Sequence, residues 1–317
     1  MTATTQTSHN PSIIVHADDF GLSLEQSITI LACSTACGGE GALNSTSMMV
    51  GSPAFEECAA LVRPHVEAGN ILLGLHLNLV EGPCCAPADE VPLLAGEDGM
   101  FKLGFASLLK ESAGRNRAEL KRQLVCEITA QVERFCEAFP ALRSRFRVDG
   151  HQHFHLIPLV FEALGEALGA CNVRVEYLRI PAEPLAPFFA LPRKQLTYPP
   201  VNLVKNALLN ALWHQCRPHL SAFTGMDGKP ITIEKNSAVF YGLVLSGCME
   251  NALEPGLLNR MLAVGKKQGR STELLFHPGG MEAKDCLNPN LEGFVTFYES
   301  PHRALEAQAV VKLESLL

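Results

Sequence analysis

Short apolar runs that close on a charged or imidazole side chain recur along this chain. Ser12–Ala17 runs into Asp18-Asp19, Ile71–Leu75 into His76, Phe146–Val148 into Asp149, Val173–Leu178 into Arg179, and Glu273–Phe276 into His277. Ala42–Val50 and Ala238–Leu245, the latter ending on Ser246-Gly247, are also β-rich. Between these runs the apolar positions take a helical period. It is found over Leu24–Ala36 (Ser23 as N-cap), Pro53–Val62, Ala118–Ala138, Pro158–Ala170, Val204–Trp213 and Pro255–Lys267. Strand–helix alternation of this kind predicts an α/β fold with a parallel sheet or barrel. Reactive groups in such folds gather at the C-terminal ends of the strands, which is where these polar residues fall.

Two stretches break the rhythm. Glu81–Asp98, rich in Pro, Cys and Gly, reads as a long surface loop beside the His76 strand end. Pro184–Glu234 is too long for a simple crossover and reads as an inserted helical lobe or lid. There is no internal repeat and no clear linker, so residues 1–317 are expected to form a single domain carrying that insertion.

Hydrophobic residues make up 47% of the 317, as suits strands covered on both faces. The formal net charge of −7, with no dense Lys/Arg run, argues against a nucleic-acid backbone or an anionic membrane surface as main partner. A neutral or cationic small molecule suits that balance better. The 11 cysteines include no Cys-x-x-Cys pair and read as free thiols of a reducing compartment. The first ten residues are polar, without a basic start or an apolar h-region, and do not read as a secretory signal. No apolar run approaches the ~20 residues of a membrane span. A soluble, cytoplasmic protein is expected.

The densest chemistry lies in Asp149-Gly-His-Gln-His-Phe-His155, where Asp149, His151, His153 and His155 recur at two-residue intervals. As a strand, this run sends all four side chains to one face, with alternate residues roughly 6.5–7 Å apart. Four protonatable groups on one face suit a metal or proton-transfer site; the competing reading is a buried polar network. An ion with His–metal bonds of roughly 2.0–2.1 Å can hardly be held by three residues stepped along one strand. Most ligands to such an ion must therefore come from elsewhere.

Of Asp18 and Asp19, one can bind a metal while the other serves as a base, although Asp-Asp-x-Gly also suits a turn or a cap. His76 is a candidate ligand or a hydrogen-bonded core histidine. His277, before Pro-Gly-Gly, is a general acid or a turn residue, and Arg179 an ion-pair anchor or a surface residue. A carboxylate and two histidines from three strand ends leave open positions on a divalent ion for water and substrate. A second carboxylate and further histidines supply base and acid. That equipment suits hydrolysis of an amide or ester. His9, His65, His214, His219 and His302 are given no role.

At these residues the chain resembles the YdjC-like carbohydrate deacetylases, distant relatives of the NodB-type polysaccharide deacetylases. The resemblance is carried by Ala-Asp-Asp-Phe-Gly (17–21), Gly-Leu-His-Leu (74–77), Asp-Gly-His-Gln-His-Phe-His (149–155), Arg-Ile-Pro-Ala-Glu-Pro (179–184) and Phe-His-Pro-Gly (276–279). The Arg-Ile-Pro-Ala-Glu-Pro stretch is also similar to a branch associated with hopanoid biosynthesis. The resemblance implies a distorted, incompletely regular (β/α) barrel, one divalent metal ion, and removal of acetyl from an N-acetylated sugar or sugar conjugate. It implies Asp19, His76 and His151 as metal ligands, Asp18 as general base, His277 as acid toward the departing amine, and Arg179 as the residue orienting Asp18. His153 and His155, with Asp149, are then expected behind the ligands or against the substrate.

His16 departs from the family pattern, where a small polar residue often stands, and it shares a strand face with Asp18. An Asp/His/His set suits zinc, manganese, cobalt or nickel better than magnesium, although the family is often described with magnesium. The expected partner is a small N-acetylated sugar, with no nucleic acid and no membrane span, and a homo-oligomer is compatible with the sequence. Two other readings are a metal-dependent hydrolase of another bond, such as a phosphoester, and a non-catalytic sugar- or metal-binding protein.

Overall fold

In the computed structural model, residues 11–189, 198–254, 256–288 and 292–317 are described. The polar first ten residues, residues 190–197 of the expected insertion, and Pro255, the expected start of a helix, lie outside them. Strands β1 (Ile13–Phe20), β2 (Ser45–Met48), β3 (Leu72–Leu77), β4 (Phe146–Gly150), β5 (Val175–Leu178), β6 (Val239–Tyr241) and β7 (Thr272–Phe276) form one sheet in the order β5-β4-β3-β2-β1-β7-β6. Every pairing is parallel. The helices are α1 (Leu24–Ala32), α2 (Phe55–Glu67), α3 (Phe105–Glu111), α4 (Arg117–Ala138), α5 (Pro158–Ala170), α6 (Ala186–Phe189), α7 (Pro200–Cys216), α8 (Ile233–Asn236), α9 (Leu257–Gln268), α10 (Glu292–Tyr298) and α11 (His302–Leu313). Among the described residues no helix is long and apolar enough to cross a membrane.

The sheet curls until its two edges face one another. Tyr177 of β5 donates its hydroxyl hydrogen to Glu273 of β7. Asn236, at the end of α8, donates from Nδ2 to the carbonyls of Val175 and Glu176 (3.3 and 3.2 Å). The Val175 amide donates to Thr224 O at 2.8 Å, so the segment after α7 covers the edge of β5 that a further strand would otherwise seek. The result is an incomplete barrel, bridged by side chains and loop where a closed one would have a ladder.

Period-2 alternation gives the sheet two different faces. Val15, Leu73, Leu75, Phe146, Val148, Leu274 and Phe276 are buried in the main hydrophobic core, against the outer layer of helices. The register puts His16 beside Ser45, His76 beside Asp149, and Arg147 beside Tyr177, all on the concave side. Both faces are covered, as expected, but they differ in kind, the concave one carrying most of the sheet's buried polar side chains. These polar groups form a network there beside a small apolar cluster of Ile14, Tyr177 and Ala238.

Element ends shift from expectation for identifiable reasons. Ser23 caps α1 as expected, accepting from Gln26 N at 3.2 Å. The helix stops at Ala32 because the chain doubles back there, with Glu40 N donating to Ala32 O at 2.8 Å. β6 is shorter than the expected Ala238–Leu245 because Glu183 takes the amides beyond it. Gly242 N donates to Oε1 at 3.0 Å and Val244 N to Oε2 at 2.7 Å. Asn206 of α7 donates to the same Oε2 at 3.3 Å, and Asn202 reaches the carbonyls of Val244 and Ser246. Through these bonds α7 is fastened to the loop after β6.

Burial pushes the Glu183 carboxyl up to about 7, against the opposing pull of the Val244 and Gly242 amides and Asn206. A raised carboxyl binds its proton more tightly folded than unfolded. Its contribution to stability is thus complete below pH 4.5 and is lost as pH rises through about 7. Glu183→Gln removes that titration. The difference in unfolding free energy between wild type and variant, measured by denaturant melts, should move by roughly 3 kcal/mol against wild type across this window.

Candidate metal centre and cavity

The C-terminal ends of β1, β3 and β4 converge over the concave face. β1 carries two adjacent carboxylates to one site because Asp19 takes a left-handed backbone, with φ of 66°. In a regular strand Asp18 and Asp19 would point to opposite sides. Asp19 Oδ1 lies 3.3 Å from His76 Nε2 and 3.0 Å from His151 Nδ1. The Asp19, His76 and His151 ligand atoms all fall within 4.8 Å of one another, and all three residues are buried.

The expectation that Asp149, His151, His153 and His155 share one strand face is overturned. β4 ends at Gly150, and His151–Leu156 forms tight helical turns with Gln152 and His153 left-handed at φ of 47° and 60°. The turn folds His155 back across Gly150, where a Cβ would lie 2.5 Å from His155 Nδ1, so glycine is required there. The four residues consequently part ways. Asp149 stays on the strand behind His76, with its Oδ1 2.5 Å from His76 Nδ1. His151 faces Asp19, and His153 lines the cavity. His155 is buried behind, its Nε2 3.0 Å from Arg179 O.

Arg179 follows β5 and is fully buried. Its Nη1 donates to both oxygens of Asp18 (2.8 and 3.0 Å), and its Nε donates to Glu273 Oε1 at 2.8 Å. Nη2 lies 3.1 Å from Asp149 Oδ2 and 2.7 Å from Glu273 Oε1. His16 stands beneath, with Nε2 3.2 Å from Asp18 Oδ1 and Nδ1 2.8 Å from Ser45 Oγ. His277 lies across the cavity, its Nε2 3.9 Å from Asp18 Oδ2.

Charge in this cluster is unevenly balanced. Burial opposes ionisation of Asp18, but Arg179, with His76 and His16, outweighs it and holds the carboxyl well below its usual range. Burial likewise opposes protonation of His76 and His151. Even so, Asp18 and Asp149 draw the first up to about 10, and Asp19 and Glu81 the second to about 9. Burial and the Arg303 charge lower His277.

The residues present fit a divalent ion. Ligand atoms 3.0–3.3 Å apart match the edge of a coordination shell with metal–ligand bonds of about 2.0–2.2 Å. His76 Nε2 is buried without a hydrogen-bond partner, while its Nδ1 is held by a carboxylate, the usual support for a ligating imidazole. A second compact group, His16, Asp18 and Asp149, is less suited, since the Arg179 guanidinium already sits against both of its carboxylates.

Over this floor opens a cavity of about 700 Å³. Asp18, Asp19, His151, His153 and His277 form its polar side; Phe105, Leu209, Leu243, Phe294 and Phe297 are among its apolar walls. Leu209 belongs to α7, so that helix forms part of the cavity wall.

Sequence reasoning missed several acids. Glu81 was expected to begin a surface loop, yet it is fully buried with Oε2 3.2 Å from His151 Nε2. The loop that follows packs Val91, Leu94 and Ala95 inward. Glu306 of α11 accepts the amide of His277 at 2.6 Å, and Glu273 anchors Arg179. Its place directly after Leu79-Val80 is the one local signal for Glu81.

A family profile described as YdjC-like protein matches residues 12–311. A mouse protein named carbohydrate deacetylase is 37% identical over 174 residues, 54% of this chain and 51% of that one. A chitooligosaccharide deacetylase of Escherichia fergusonii is 33% identical over 149 residues, covering 47% and 52%. The chain thus aligns with about half the length of the curated relatives it matches. A crystal structure from Enterococcus faecalis, provisionally described as a cellobiose-phosphate cleavage protein, superposes over 96% of this chain and 92% of that one. Its TM-score is 0.59 at 18% identity, a likeness of fold alone.

Replacing Arg179 tests the cluster directly. Arg179→Met strips Asp18, Asp149 and Glu273 of the guanidinium that contacts all three and should cost about 3–5 kcal/mol. Arg179→Lys should recover only part, because one ammonium cannot reproduce the planar fork. Urea unfolding midpoints check both.

Proposed function

The chain belongs to the YdjC-like family, and from that membership we propose a carbohydrate N-deacetylase, a metal-dependent hydrolase that releases acetate from an N-acetylated sugar or sugar conjugate. The carbohydrate and chitooligosaccharide deacetylases it resembles support the substrate class. The convergence of Asp19, His76 and His151 at the floor of an aromatic-walled cavity is the observation that carries the reading.

Asp19, His76 and His151 would hold the ion. The donor set favours zinc, manganese, cobalt or nickel over magnesium. A divalent ion there would supply Lewis-acid polarisation of the acetamide carbonyl and lower the pKa of water from ~15.7 toward about 7. Asp18 takes the proton of the attacking water, and Arg179 keeps that carboxylate ionised and oriented. The new bond joins water oxygen to the acetyl carbon. As the C–N bond breaks, His277 gives a proton to the amine nitrogen, and acetate and the free amine leave. Phe294 and Phe297 offer faces for the apolar side of a sugar ring, while the insertion at 184–234 acts as the wall that shapes substrate choice.

A phosphoester substrate would need cations facing the cavity. Arg179 is engaged by three carboxylates, and Lys205 is the one Lys or Arg among the described residues lining it.

Metal-stripped protein reloaded with each divalent ion, then assayed for acetate release from N-acetylglucosamine and its oligomers, tests the reading. Activity restored by one or more ions is expected. Hydrolysis of aryl phosphates without any acetate release would overturn it. Asp18→Asn should lower kcat by about 10²–10⁴ while still taking up the ion, as measured by elemental analysis.

A further inference from the structure

Each imidazole of the candidate metal centre has a different carboxylate at its back. His76 turns Nε2 toward Asp19 and Nδ1 onto Asp149. His151 is reversed, with Nδ1 toward Asp19 at 3.0 Å and Nε2 toward Glu81 Oε2 at 3.2 Å. Nothing assigned to the reaction above uses Glu81. Yet it is fully buried, its Oε2 accepts from Tyr298 Oη at 2.7 Å, and its Oε1 is buried without a partner.

We propose that Glu81 and Tyr298 are positioning residues for the metal centre, presenting His151 to the ion through Nδ1 by holding that ring's proton on Nε2. A ring nitrogen can ligate only with a free lone pair, so the proton must reside on the other nitrogen. Glu81 Oε2 is the acceptor at that place. The contact lies within reach but out of line, leaving His151 Nε2 buried without a hydrogen bond. Glu81 does not join the compact group of Asp19, His76 and His151, so it stands behind the ring.

Both partners are built to hold station. The Glu81 amide donates to Asn78 Oδ1 at 3.1 Å, and Asn78 is held at its own amide and carbonyl by Gln131 of α4 (3.1 and 2.6 Å). Tyr298 lies on α10, where Phe294 stacks on His151 with ring centroids 6.1 Å apart and planes at 15°. Phe294 and Tyr298 also line the cavity. One short helix therefore sets the pose of a metal ligand and forms part of the substrate wall.

The inference rests on the metal reading of the site, and the test separates the two. Metal-stripped wild type, Glu81→Ala, Glu81→Gln and Tyr298→Phe are titrated with Zn²⁺ by calorimetry, and the visible spectra of the Co²⁺-loaded forms are compared. Wild type should take one ion. Glu81→Ala should bind it about 10–100-fold more weakly with shifted cobalt bands. Glu81→Gln, whose amide oxygen still accepts from Nε2–H, should recover most of the affinity, and Tyr298→Phe should show a smaller weakening. Wild-type affinity and spectrum in Glu81→Ala overturn this proposal alone; uptake of no ion by wild type overturns the metal reading and this one with it. If the alanine variant does not fold, Tyr298→Phe decides, with unchanged affinity and spectrum counting against the proposal.

Discussion

Arg179 is wholly buried at the mouth of the barrel, and its guanidinium meets Asp18 from β1, Asp149 from β4 and Glu273 from β7. Burying a carboxylate costs several kcal/mol unless it is paired and hydrogen-bonded, and three are buried here within reach of one cation. A guanidinium can serve them because its five donors fan out in one plane, which an ammonium cannot match. Asp149 in turn holds His76, and Asp18 lies between Arg179, His16 and His277. Asp18, and through Asp149 also His76, are therefore held from a single cation, while Asp19 and His151 hold one another.

The strand–helix alternation, the parallel sheet and the strand-end location of Asp18, Asp19, His76, Arg179 and His277 were legible in the sequence, because period and apolar run length carry that information directly. One local misreading has a clear origin. Alternation suggested that β4 continues through His155, but left-handed turns at Gln152 and His153 leave no periodic trace in side-chain types. Asp19 also departs from strand geometry, and there the departure brings two neighbouring acids to one site.

Glu81, Glu306 and Tyr298 were not legible for a different reason. Each acts through a contact 29 or more residues away: Glu306 with His277 at a separation of 29, Tyr298 with Glu81 at 217. A single acid in a loop or helix reads as solvent-facing until the fold shows what lies against it. The same holds for Glu183, whose carboxylate joins α7 to the loop after β6 and so determines where β6 ends.

The open seam of the barrel has a broader meaning. Hydrogen-bonded ladders would fix the girth of a closed barrel independently of whatever chemistry its mouth carries. Here the span between β5 and β7 is bridged by Tyr177, Arg179 and Glu273, and Arg179 also grips Asp18. Architecture and reactivity are consequently not separable modules in this molecule. The bonds that set the girth of the vessel and those that orient an acid at its mouth run through one side chain, Arg179.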